Sequence, residues 1–154
     1  MIQRIQSIFL LVIATCMIIT VFLINWQETT AAETVTMTAL NMVHTKAGTE
    51  VSSRDVWYIA ALAGIAAGVA LYSLVSYKNR VLQMGLGAIN ALIMAGVLGL
   101  IIYFSREAET IIPGQEGAFQ TGTYLPMAAM ICNIIANRFI RRDEKLVRSA
   151  DRMR

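Results

Sequence analysis

The sequence predicts an all-α membrane protein: a bundle of four transmembrane helices, a cytoplasmic amphipathic helix at the C-terminal end, and a small outer loop with the makings of a β-hairpin. Three observations lead there. Hydrophobic residues make up 56% of the 154-residue chain and charged residues only 15%, whereas about a quarter of the residues of an ordinary soluble domain are charged. Two apolar runs, 57–77 and 81–104, are separated only by Lys78-Asn79-Arg80, and each can cross a hydrocarbon core of ~30 Å at ~1.5 Å per residue. The charges, finally, are segregated. Arg4, Lys78, Arg80 and the bases of the tail from Arg138 onward fall on one side of alternating spans, and only Lys46, Arg54 and Arg106 on the other. The excess of Lys and Arg puts both termini in the cytoplasm. Trp26, Trp57, Tyr58, Tyr103, Phe104 and Tyr124 then gather at the outer interface, where amphipathic rings are favoured.

The first span is expected at about residues 7–26. One Arg ahead of an apolar run also begins a signal peptide, but this run outlasts a typical signal core and no convincing small-residue cleavage site follows. Ile13-Ala14-Thr15-Cys16 resembles a lipoprotein site only faintly, because Thr precedes the Cys and the apolar run continues past it. A retained span is therefore expected. The outer loop, 27–55, sets Glu28, Glu33, Glu50 and Asp55 against Lys46 and Arg54. Alternation and β-branched residues over 34–40, followed by the turn Lys46-Ala47-Gly48-Thr49, suggest a short β-hairpin. Ser53 or Asp55 is placed to cap the next helix.

The second and third spans, 56–77 and 81–104, form a hairpin. Ala60, Gly64 and Gly68 recur at every fourth position, answered by Gly87, Ala91, Ala95 and Gly99. Helices in lipid associate through close backbone approach, which small residues permit, so these seven are the expected helix-packing faces. A second outer loop, 105–120, carries the turn signal Pro113-Gly114. The fourth span, 121–140, is the weakest: Thr123 can cap it and Pro126 fits a first turn, but Asn133 and Asn137 interrupt it and Arg138 must snorkel to the interface. The tail, 141–154, has Leu146, Ala150 and Met153 near helical spacing beside Val147, with Glu144 four residues before Arg148.

The spans hold no Asp, Glu, Lys, Arg or His at depth, and ion-coupled transport generally needs one. With a single histidine, His44, and two cysteines, Cys16 and Cys132, both inside apolar runs, no metal site, disulfide framework, cofactor site or catalytic residue is expected, and the chain does not read as an enzyme. Asn90 and Asn133 are the intramembrane polar residues to single out, with Asn137 nearby. A hydrogen bond between the first two is expected as glue worth about 0.6–2 kcal/mol. Arg4, Arg141, Arg142, Lys145, Leu146, Arg148 and Arg152 are the expected contacts with a partner or with anionic lipid at the cytoplasmic face. Nucleic acid is disfavoured, because the tail's acids dilute its field and its one aromatic, Phe139, sits at the membrane end.

Two segments carry a resemblance. The opening Met1-Ile2-Gln3-Arg4-Ile5-Gln6, directly before the first span, and the closing stretch from Asn137-Arg138-Phe139-Ile140-Arg141-Arg142 to Arg154 resemble an uncharacterised bacterial family of four-span proteins, a domain of unknown function, number four-two-nine-three. The resemblance implies an inner-membrane protein of a Gram-negative bacterium and supplies no activity. It suggests that the two cytoplasmic ends meet, with Asp143, Glu144 or Asp151 pairing with Arg4, Lys78 or Arg80. The resulting expectation is a non-catalytic accessory or assembly subunit of an inner-membrane complex, docking a protein partner through its basic C-terminal helix. The alternative is a small-molecule channel or facilitator with a polar path at Asn90, Asn133 and Asn137.

Overall fold

The computed structural model describes residues 2–77, 79–112 and 117–152, with side chains described within 6–146 of these. It has two layers. Four helices, α1 (Ile2–Phe22), α2 (Tyr58–Val75), α3 (Arg80–Ala108) and α4 (Thr121–Arg152), make one; five short strands make the other. Those strands are β1 (Trp26–Thr29), β2 (Glu33–Met37), β3 (Asn41–Lys46), β4 (Thr49–Asp55) and β5 (Ala118–Phe119). They form a single antiparallel sheet in the order β4-β3-β2-β1-β5.

The sheet corrects the all-α expectation. Where a two-stranded outer loop was expected, four strands of the first connection pair with a fifth from the second. An isolated hairpin is marginal in water, and a wider sheet with one face on an apolar layer is not. That face is Trp26, Glu28, Val35 and Met37, all buried. The β3–β4 turn is a two-residue loop in which Ala47 and Gly48 have φ of 49° and 82°, the left-handed geometry that matches the twist of a hairpin.

The four-span expectation is corrected as well. Among the described residues only α2 and α3 are long and apolar enough to cross a membrane; the apolar part of α1, Gln6–Phe22, is shorter. Helix α1 ends where the chain turns into β1, and α4 meets Asn133, Asn137 and the basic segment before it has run far enough. Cap expectations shift too. Ser53 and Asp55 lie in β4, and α2 starts at Tyr58 behind Trp57, which makes no side-chain cap bond. The N–H of Ala60 is instead satisfied by the carbonyl of Ala39 at 3.1 Å, as a free helix N-terminus requires. Asn79 caps α3 by accepting from the N–H of Leu82 at 3.1 Å.

The helices close a ring, α1 against α2 and α4, α3 against α2 and α4. Each buries one seam at alternating steps of four and three. In α1 it is Gln6, Leu10, Ile13, Met17 and Thr20; in α3, Gln83, Gly87, Asn90, Met94, Val97 and Ile101; in α4, Ala129, Asn133, Ala136, Ile140 and Asp143. This is the spacing that keeps a helix facing its neighbour. The seam of α2 is Ile59, Ala63, Ala66, Ala70 and Ser73, whose small side chains let the others close in.

The expected packing faces therefore need correcting. Gly64 and Gly68 are exposed, as are Ala95 and Gly99, and a Cβ at Gly64, Gly68 or Gly99 would meet nothing within 4 Å. Ala60 and Ala91 are half-buried, and only Gly87 lies in the buried seam. Contact between α2 and α3 is made on the adjacent face, where a Cβ at Gly96 would touch Leu62 Cδ1 at 3.8 Å.

Candidate functional site: a polar seam and a basic cleft

All four seams turn polar at the end of the helical layer away from the sheet. Gln6 Nε2 of α1 donates to Asp143 Oδ2 of α4 at 2.8 Å, a buried pair. Arg80, the first residue of α3, donates to the main-chain oxygen of Asp143 at 3.0 Å. Gln83 Nε2 donates to the carbonyl of Ser73 at 2.7 Å, tying α3 to the last turn of α2. One turn further in, Asn133 Nδ2 donates to the carbonyl of Gly87 at 2.8 Å. Gly87 is required there, because a Cβ would fall on the amide of Asn137.

Deeper still sits Asn90, only 1% exposed, with neither its Nδ2 nor its Oδ1 hydrogen-bonded. The expected Asn90–Asn133 bond is not formed; Asn133 takes a carbonyl of α3 instead. The structure thus brings Gly87, Asn133 and Asn137 together, with Asn90 a turn away on the same seam. Of the suggested pairings between the chain's two ends, Arg80 meets Asp143 through its main-chain oxygen. The side chains of Arg4, Lys78, Arg148, Asp151 and Arg152 lie outside those described.

On the outer flank of α4 lies a cleft of about 720 Å³, lined by Ile135, Arg138, Phe139, Arg141, Arg142 and Lys145. The four cations are exposed, and none has an acidic partner among the described residues. Phe139 is held by stacking on Phe9 of α1, with ring centroids 6.0 Å apart and planes 19° from parallel. Leu146 is exposed just beyond the cleft. A smaller cleft, about 230 Å³, lies between the sheet and the end of α3, where Met42, His44, Ser52 and Arg54 face Glu107, Thr110 and Ile111. There Arg54 pairs with Glu107 and lies 5.8 Å above the ring of Phe104.

Sequence reasoning missed two groups. Glu28, on the buried face of β1, is 1% exposed with neither carboxylate oxygen hydrogen-bonded, and Trp26 Nε1 is likewise buried without an acceptor. Burial, and then the nearby charge of Glu109, push the Glu28 carboxyl above the usual range. Glu33 is the reverse: hydrogen bonds from Lys46 (2.6 Å) and His44 (3.0 Å) hold it below that range. The second is Gln6, as the partner of Asp143. The signal for Gln6 was present in the spacing 6, 10, 13, 17, which makes it the first member of the α1 seam.

Fold and site together define a mixed α/β protein with two helices apolar enough to cross a membrane, a polar buried seam and a basic outer cleft. The chain belongs to the family described as Domain of unknown function (DUF4293), which it matches over residues 2–153. Comparison with curated proteins returns no match.

Proposed function

We propose that this chain is a non-catalytic assembly protein embedded in a bacterial inner membrane. Helices α2 and α3 cross the bilayer as a hairpin, with the sheet at its outer end and the α2–α3 turn at its cytoplasmic end, and α1 and α4 pack against that hairpin. One observation supports binding rather than chemistry. Three polar side chains of the helical layer hold helices together, Gln6 with Asp143, Gln83 with the carbonyl of Ser73 and Asn133 with that of Gly87, while the cations of α4 are held in the open. Exposed Trp57, Tyr58, Tyr103 and Tyr124 toward the sheet, and Tyr72 and Tyr77 at the far end, support a membrane setting, since such rings favour both interfaces.

A second reading, a path for a small polar solute, has one observation in its favour, the buried and unpartnered amide of Asn90. Asn90→Leu separates the two. In an assembly protein the variant keeps its partners and gains about 1–3 kcal/mol, the cost of a buried unsatisfied amide. In a facilitator it abolishes solute flux into liposomes. The test is purification from membranes in mild detergent. A membrane protein co-eluting at fixed stoichiometry supports the assembly reading; a chain that elutes alone and conducts solutes until Asn90 is replaced overturns it.

A further inference from the structure

We infer that the basic cleft on α4 seats the phosphate of an anionic phospholipid, with its upper acyl methylenes on the apolar floor; the inference rests on the membrane reading above. Three observations converge. Arg138, Arg141, Arg142 and Lys145 recur at three- and four-residue spacing, so their head groups share one side of the helix. None of the four is ion-paired with a described residue, Asp143 on the same stretch being turned inward to Gln6, and arginine forks match phosphate oxygens two at a time.

The cleft also lies at the right level. The bond from Arg80 to the main-chain oxygen of Asp143 aligns this part of α4 with the α2–α3 turn, the plane where the two apolar helices leave the hydrocarbon. Arg141, Arg142 and Lys145 are therefore at headgroup depth. Ile135 and Phe139 lie about one to two helical turns lower, ~6–12 Å into the apolar slab.

Finally, the floor is preset. Phe139 is fixed by Phe9, and a cleft of about 720 Å³ takes a headgroup and the first methylenes while the acyl ends remain in the bilayer. A free phosphate would leave Ile135 and Phe139 uncovered, so the amphiphile fits the whole cleft and the bare ion only half of it.

The test uses the full chain in phosphatidylcholine nanodiscs holding a minor fraction of phosphatidylglycerol, with bound lipid quantified after extraction and washing. Wild type is expected to retain phosphatidylglycerol over phosphatidylcholine. Arg138→Gln/Arg142→Gln/Lys145→Gln lowers that affinity on the order of a hundredfold, at about fivefold per charge. Arg142→Lys keeps most of it, and Arg106→Gln, a cation at the sheet end, changes nothing. Unchanged retention in the triple variant overturns the inference. So does thermal protection by inorganic phosphate alone equal to that by the lipid, or a co-purifying acidic protein on these cations that phosphatidylglycerol does not displace. Should the triple variant fail to fold, Arg142→Gln against Arg142→Lys gives the same comparison. Release of the chain by alkaline carbonate would instead sink the membrane reading itself.

Discussion

Gly122 and Gly64 are the same residue type in opposite circumstances. A Cβ at Gly122 would stand 2.7 Å from the carbonyl oxygen of Ile24 and 2.6 Å from the side chain of buried Asn25, whereas at Gly64 it would meet nothing. Gly122→Ala is expected to cost about 1–3 kcal/mol through forced backbone shift. Gly64→Ala is expected to be neutral or to stabilise by up to about 1 kcal/mol, since glycine disfavours helix interiors. Thermal denaturation in detergent compares the two, and a Gly64→Ala that destabilises would mean this face is covered by another helix. The carboxyls give the residue scale its pH dependence. Glu28 has its folded value raised, so its contribution is full below the ordinary carboxylate range and is lost as pH rises through the folded value. Glu33 is lowered, so its contribution is present above that range and lost as pH falls through its folded value. Glu28→Gln should therefore flatten the decline in melting temperature from acid toward neutral pH and leave the variant the more stable of the two at neutrality; a melting curve with unchanged pH dependence would contradict this.

At the scale of elements, what the sequence made legible was the apolar run and its punctuation. The break before Arg80, where Asn79 caps α3, and the Ala47-Gly48 turn both fall where the structure has them. Buried faces were less legible, for a physical reason. In α2 and α3 almost every position is apolar, so burial leaves no periodic trace in hydropathy, and the regular spacing of Ala60, Gly64 and Gly68 pointed to the wrong side. The polar exceptions marked the right one: Ser73, Gln83 and Asn90 all lie in buried seams. The sheet was illegible for a different reason. All seven residues of β4 are exposed, so no alternation survives, and β5 has only two residues; such strands exist through long-range pairing, not local pattern. The turn of β3 and β4 can nonetheless be improved. Ala47 has φ of 49°, a conformation that costs an ordinary residue about 1–2 kcal/mol, so Ala47→Gly or Ala47→Asn should raise the melting temperature of the sheet. Hydrogen exchange along β3 and β4 would register the gain.

At the scale of the whole molecule, sheet and α2–α3 turn lie at opposite ends of the helical layer. In a chain freed of Cys16 and Cys132, Thr49→Cys on intact cells and Ser76→Cys only on opened cells should react with a membrane-impermeant thiol reagent; labelling of both from one side would refute the orientation. The two ends are also fastened differently. At the sheet end, the main chain of Ile24 and Asn25 accepts from Gly122, Gln120 and Thr123, Ala39 accepts from Ala60, and β1 pairs with β5, so both outer connections are stitched into one fabric. At the other end the helices are joined through side-chain bonds, Gln6 of α1 to the carboxylate of Asp143 in α4 and Arg80 of α3 to the main-chain oxygen of the same residue. The molecule is thus built like a clothes peg, clamped at the spring and free at the jaws. Loosening of the helices is expected first at the end away from the sheet, beside the basic cleft, and a ligand drawn to that cleft would sit on the less tightly fastened end of the molecule.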